Sequence, residues 1–133
     1  MTAGATGRTG RRTTRERGRA AEEVAAAWLA RRGYVVLARN HATPRGEVDL
    51  VCREGDVLCF VEVRSRSSVA WGKPEETVTR RKALRVVAAA TDWALRHGGL
   101  EQPMRFDVVA VRTGPGEPEV ELFQGAFDAA GRR

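Results

Sequence analysis

The alternation of apolar and polar positions divides the chain into two helical and five extended stretches. "AAEEVAAAWLARRGY" is rich in alanine and has no glycine or proline before Gly33, which predicts a helix ending at that glycine. "YVVLARN" reads as a strand and "HATPRG" as a loop. "EVDLVC" and "VLCFVEVR" read as two strands joined around "REGD", a hairpin by its turn residues. "TRRKALRVVAAATDWALRHG" predicts a second long helix with Thr79 as N-cap and a packing stripe of Leu84, Val87, Ala88, Thr91 and Leu95. "RFDVVAVR" and "EVELFQ" are the remaining strands, separated by the turn "TGPGEP". A helix between "FVEVR" and "FDVVAV" suits a crossover between parallel neighbours, giving an α/β fold with a mixed central sheet flanked by helices. Residues 1–18 are Gly, Thr and Arg with little to bury and read as a disordered basic tail. A single domain is expected over 19–125, with a frayed tail over 126–133.

Composition adds a partner class to this picture. The 133 residues include 23 Lys and Arg against 17 Asp and Glu, a formal charge of +6. That excess suits a polyanion such as nucleic acid, or a surface kept soluble by charge. Cys52 and Cys59, within apolar runs, read as buried thiols in a reducing compartment, and no four-ligand zinc spacing is present. The opening residues lack the apolar core of a secretory signal, and no apolar run reaches the 18 residues of a membrane span; a cytoplasmic protein without membrane contact is expected.

The chemistry concentrates in the central hairpin. Strand periodicity sets Leu58, Phe60, Glu62 and Arg64 on one face of "VLCFVEVR". In "EVDLVC", Val48, Leu50 and Cys52 form one face and Asp49 and Val51 the other. A four-residue connection, Arg53 to Asp56, would place Asp49 diagonal to Glu62 on one face, about 7–8 Å apart at Cα. A three-residue connection would separate them. On the first helix Glu22 lies toward the apolar side and Glu23 away from it. Carboxylates gathered in a dry site repel one another unless neutralised. A hard divalent cation such as Mg²⁺, which takes carboxylate, water and phosphate oxygens, would do so. Salt bridges of Asp49 to Arg45, or of Glu62 to Arg64 or Arg66, are the alternative.

"GEVDLV" followed by "FVEVR" resembles the PD-(D/E)XK superfamily of restriction-endonuclease-like and Holliday-junction-resolvase-like nucleases. Together with "GRAAEEVAAAWLARRGYVVLARN", "GKPEETVTRRK" and "RFDVVAV", it is similar to the YraN-type family of small endonuclease-like proteins, from about Gly18 to Val111. The resemblance implies a restriction-endonuclease-like core and metal-dependent hydrolysis of a nucleic-acid phosphodiester. It makes Asp49 and Glu62 the ligands of Mg²⁺ or Mn²⁺ and Glu22 the helix acid that completes the pocket. Arg64 takes the position of the usual catalytic lysine, and Lys82 matches a lysine recurring in the following helix. Nucleases of this fold often cut both strands as homodimers.

Arg64 is a departure, since arginine stays charged and cannot act as a base. Either metal-bound water needs no lysine base, or Lys82 supplies the ammonium, or catalysis is weak or lost; Lys73 is a more distant substitute. Arg66, Lys73, Arg81 and Arg85 form a basic rim suited to phosphates of nucleic acid, DNA foremost. Trp28 and Trp93 sit at packing spacings, Trp71 is a substrate-contact candidate, and His41 reads as a solvated loop residue. Asp107 is expected to support Arg105 or the sheet edge.

Overall fold

A computed structural model describes residues 14–66 and 78–133 of the chain. Helix α1 (Thr14–Arg31) is followed by strands β1 (Val35–Thr43), β2 (Gly46–Glu54) and β3 (Val57–Arg66). Helix α2 (Arg80–Arg96) then leads into β4 (Met104–Arg112) and β5 (Glu119–Phe127). The five strands lie in the order β1-β2-β3-β4-β5. Only β3 and β4 are parallel, joined by the α2 crossover; the other neighbours are antiparallel. This is the mixed α/β architecture expected, with one helix and one apolar cluster on each face.

The α1 cluster gathers Ala21, Ala25, Leu29, Leu50, Cys52, Cys59 and Val61. The α2 cluster gathers Val48, Val51, Leu58, Phe60, Val86 and Trp93. Val48 therefore does not share a face with Leu50 and Cys52, as strict alternation required. The alternation breaks at Asp49, beside Asn40 of β1, whose φ of 53° lies in the left-handed region that asparagine tolerates better than most residues.

Helix α1 starts at Thr14 rather than near Arg19. Glu16 in its first turn complements the helix dipole, and Arg and Ala carry the helix to Gly33, whose φ of 97° ends it. The predicted tail over 1–13 and the loop carrying Trp71 and Lys73 lie outside the described residues. Strand β1 runs on to Thr43, so "HATPRG" is less a loop than the end of a strand. The Thr43 hydroxyl accepts from Arg45 and Gly46 N–H at 3.1 and 3.2 Å, which tightens the Pro44–Arg45 turn.

Thr79 caps α2 as predicted, its hydroxyl accepting from Lys82 N–H at 3.1 Å. The predicted packing stripe is displaced. Ala83, Val86, Ala89, Ala90, Trp93 and Ala94 are the buried positions, whereas Leu84 and Leu95 are 38% and 62% exposed. Small residues win this face because the helix lies very close to the sheet. A Cβ on Gly46 would stand 2.0 Å from the Arg85 carbonyl oxygen.

Over the last residues, where a frayed tail is expected, Phe127 and Gly131 are buried while Asp128, Ala129, Ala130, Arg132 and Arg133 are exposed. Phe127 is buried and stacks on Phe106 with ring centroids 5.2 Å apart. The Asp128 carboxylate accepts from Ala130 and Arg132 N–H at 3.0 and 2.9 Å, closing a turn whose Ala130 carbonyl accepts from Arg80 Nε at 3.1 Å. Gly131 sits against Leu84 and Arg80, so the end of the chain braces the start of α2.

Candidate active site

The β2–β3 hairpin turns through two residues, Gly55 and Asp56, because Glu54 pairs directly with Val57. Gly55 has φ 61°, as the first position of a mirror-image hairpin turn requires. Two residues and the expected four have the same parity, so Asp49 and Glu62 do share a face. The register now runs through Leu50↔Val61, and one further step sets Asp49 directly opposite Glu62 rather than diagonal to it. There the ladder gives way to a side chain: Val63 N–H donates to Asp49 Oδ2 at 2.8 Å.

Both helices reach this end of the hairpin. A cavity of about 450 Å³ is lined by Glu22 of α1, Asp49 of β2, Glu62 and Arg64 of β3, and Lys82 and Arg85 of α2. Glu62 is 5% exposed. One of its oxygens, Oε2, takes both cations, Lys82 Nζ at 3.5 Å and Arg64 Nη1 at 3.6 Å. Burial first, and then the Asp49 charge, push the Glu62 carboxyl up to about 8 against the pull of Lys82 and Arg64. Asp49 is also raised, by burial, although the Val63 N–H and a hydrogen bond with Glu62 work the other way. Burial and mutual repulsion thus disfavour the doubly ionised form of the pair, whose titration belongs to both carboxyls together. Glu22 is raised by burial and by Asp49, with which it shares a hydrogen bond, while an Asn40 hydrogen bond opposes the shift. Glu23 points outward to Arg39 at 2.8 Å.

Five of the predicted residues thus meet at one cavity: Glu22, Asp49, Glu62, Arg64 and Lys82. Arg85 joins them, whereas Arg81 is exposed and does not line it. Arg66 ends β3, and Lys73 lies outside the described residues. Arg45 has no ion pair with Asp49 among the described residues; the alternative pairing of Glu62 with Arg64 is present. Two contributors escaped sequence reasoning. Glu47 lines the cavity and adds repulsion to both Asp49 and Glu22. Asn40 reaches Glu22 from β1; its left-handed backbone was the available signal, since asparagine inside an otherwise apolar strand often marks one.

Among the described residues, no group of three or more His, Cys, Asp or Glu side chains is arranged to hold a metal ion. Arg64 Nε is a buried donor with no hydrogen-bond partner among them. No helix among them is long and apolar enough to cross a membrane.

The other charged residues fall into structural roles. Asp107, fully buried, is paired by Arg105 through Nε at 2.8 Å and Nη2 at 2.9 Å, as its predicted supporting role required. His41 is no solvated loop residue: it stands on β1 with Nε2 2.9 Å from Asp92 of α2. Trp93 is a core residue, while Trp28 is only partly buried, with Arg32 lying 4.5 Å over its ring. Cys52 and Cys59 are free, buried thiols.

Residues 21–111 match the family described as "Uncharacterised protein family UPF0102". The chain is 69% identical over 118 residues to a UPF0102 protein of Anaeromyxobacter sp. (strain Fw109-5), covering 89% of each. It is 43% identical over 130 residues to a UPF0102 protein of Pseudomonas aeruginosa (strain LESB58), covering 91% of this chain and 99% of the relative. A UPF0102 protein of Beutenbergia cavernae is 47% identical over 105 residues, 78% of this chain and 89% of its own.

Proposed function

The chain belongs to the uncharacterised protein family UPF0102, with a nuclease-like architecture of the PD-(D/E)XK type, and from that premise we propose that it binds nucleic acid and hydrolyses its phosphodiesters with a divalent metal. The observation that carries the reading is the Glu62 carboxyl, buried opposite Asp49 and approached by two cations from different elements. Two facing carboxyls that must keep a proton to coexist are poorly neutralised by protein alone. The donor set fits Mg²⁺ or Mn²⁺, which accept as few as one or two carboxylates and complete their shell with water and substrate phosphate. Asp49 and Glu62 would hold the ion.

When bound, the ion would supply an acidified water and charge neutralisation at the phosphate. The protein's own groups divide the remaining work. Arg64 and Lys82 would hold phosphate oxygens by charge and hydrogen bonding; Arg64 stabilises negative charge but takes no proton. Arg85 at the cavity wall, with the exposed Arg81 beside it on α2, would hold flanking backbone phosphates, and Arg66 and Lys73 are proposed as further phosphate contacts. DNA is the proposed substrate, and a homodimer would let two sites act on two strands.

Arg64 at the usual lysine position favours a second reading, a binding module that keeps the fold with little or no turnover. Cleavage of labelled single-stranded, duplex, flap and four-way substrates in Mg²⁺ or Mn²⁺ separates the two. Metal-dependent cutting reduced about 100-fold or more by Asp49→Asn and by Glu62→Gln is the expected result. Cutting that appears only in Arg64→Lys supports the binding module. Cutting indifferent to both carboxylates removes the site from consideration.

A further inference from the structure

A second cavity, of about 400 Å³, opens at the other end of α1, bounded by Trp28, Arg32, Val120, Leu122, Glu54 and Gln124. We infer that it is a nucleobase pocket, selective for rings that carry an exocyclic amine. The walls suit a flat ring. Arg32 lies 4.5 Å over the Trp28 indole, and a guanidinium layered on an aromatic face is a platform on which a further planar group stacks. Val120 and Leu122 of β5, partly buried against the α1-side core, supply an apolar surface.

The polar groups decide which edge of the ring enters. Gln124 Nε2 is already committed, donating to Tyr34 Oη at 2.9 Å and to Glu54 Oε1 at 3.3 Å. Glu54 Oε1 also takes Arg105 at 2.8 Å. These bonds fix both side chains, while no side chain among the described residues donates to their other oxygens, Gln124 Oε1 and Glu54 Oε2. Two oriented acceptors ask for donors: the amino group of adenine, cytosine or guanine. Uracil and thymine carry carbonyl oxygens in place of that amine and offer only the ring N3–H between them, so one of the two acceptors would face an oxygen. Glu54 and Glu121 at the wall also disfavour phosphate inside, so the base enters while its phosphate stays out, within reach of exposed Arg32.

The base can come from a free nucleotide or from an unpaired position in a strand, and the strand-borne form rests on the nucleic-acid reading above. Both cavities draw on α1: Glu22 and Trp28 are six residues apart, about 9 Å along the axis and roughly 120° around it. Duplex pairing hides the amino edge, so a strand occupying this pocket must present an unpaired base.

The test follows the Trp28 indole N–H by NMR during titration with AMP, CMP, UMP and ribose 5-phosphate, and measures binding of single-stranded oligo(dC), oligo(dT) and duplex in EDTA. AMP and CMP should shift the resonance and bind about fivefold or more tightly than UMP, with no shift from ribose 5-phosphate. Gln124→Ala should flatten that preference, and Trp28→Ala should weaken binding about tenfold while Trp28→Phe restores most of it. Equal response to UMP and CMP, or to ribose 5-phosphate, overturns the pocket. Oligonucleotide binding that depends on Lys82 and Arg64 but not on Trp28 or Gln124 overturns it too, while leaving the nucleic-acid reading intact. Nucleotide binding with the expected preference but no oligonucleotide binding supports the pocket and removes that reading.

Discussion

The β2–β3 hairpin carries buried charge at both of its ends, and the two ends treat it differently. At the turn end, Arg105 answers Asp107 with two hydrogen bonds and reaches Glu54 and Tyr34 as well, while Gly125 N–H and the Tyr34 hydroxyl also donate to Asp107, at 3.0 and 3.2 Å. At the open end, Glu62 faces Asp49 and its cations among the described residues, Lys82 and Arg64, stand at longer distances, with Arg64 Nε unbonded among those residues. The first group is saturated and holds β4 and β5 to the rest of the sheet. The second is under-neutralised by the protein alone, which is the condition of a site awaiting charge from outside.

This contrast is broken most strongly at the saturated end. Arg105→Leu leaves Asp107 buried without its cation and should cost about 3–5 kcal/mol in urea unfolding. A loss below 1 kcal/mol would mean that the network is not the anchor described. At the open end the sign reverses. Glu62→Gln removes one of two facing carboxyls, so metal-free protein at pH 8 should gain roughly 1 kcal/mol even as any cleavage disappears. A large loss of stability there would place Glu62 among the structural charges.

The effect absent at neutral pH belongs to the thiols beneath Arg105. Burial pushes Cys52 and Cys59 up to about 12 from their ordinary 9.0. The folded state thus keeps protons that the unfolded state releases, and their contribution is complete below about pH 9 and lost as pH rises toward 12. The urea midpoint should fall across that range, and fall less in the Cys52→Ala, Cys59→Ala double variant. Alkylation of native protein at pH 8 should be slow, becoming complete on unfolding; rapid native labelling would contradict the burial.

Much of this arrangement could be read from local pattern. The shared face of Asp49 and Glu62 depends only on whether the hairpin loop is odd or even, so the pairing survived a loop length wrong by two. Thr79 was legible because capping is a one-turn interaction. What escaped depends on approach between distant segments. The buried stripe of α2 favours Ala83, Ala89 and Ala90 over Leu84 and Leu95 because the helix comes down onto Gly46, which hydrophobicity alone does not disclose. Lys82 was legible through the family resemblance, whereas the part of Asn40 depends on a backbone kink inside a strand. The C-terminal residues looked polar and short, yet one phenylalanine and one aspartate suffice to seat them.

That seating has a consequence for how the molecule is made. The hairpin bearing Asp49 and Glu62 is synthesised well before the Asp128–Arg132 turn that braces the first residues of the Lys82 helix. A nascent chain therefore carries its acids before the support for their cationic partner exists. A tag fused directly after Arg133 adds its bulk beside this same brace, whereas one joined ahead of Met1 stands away from it in sequence.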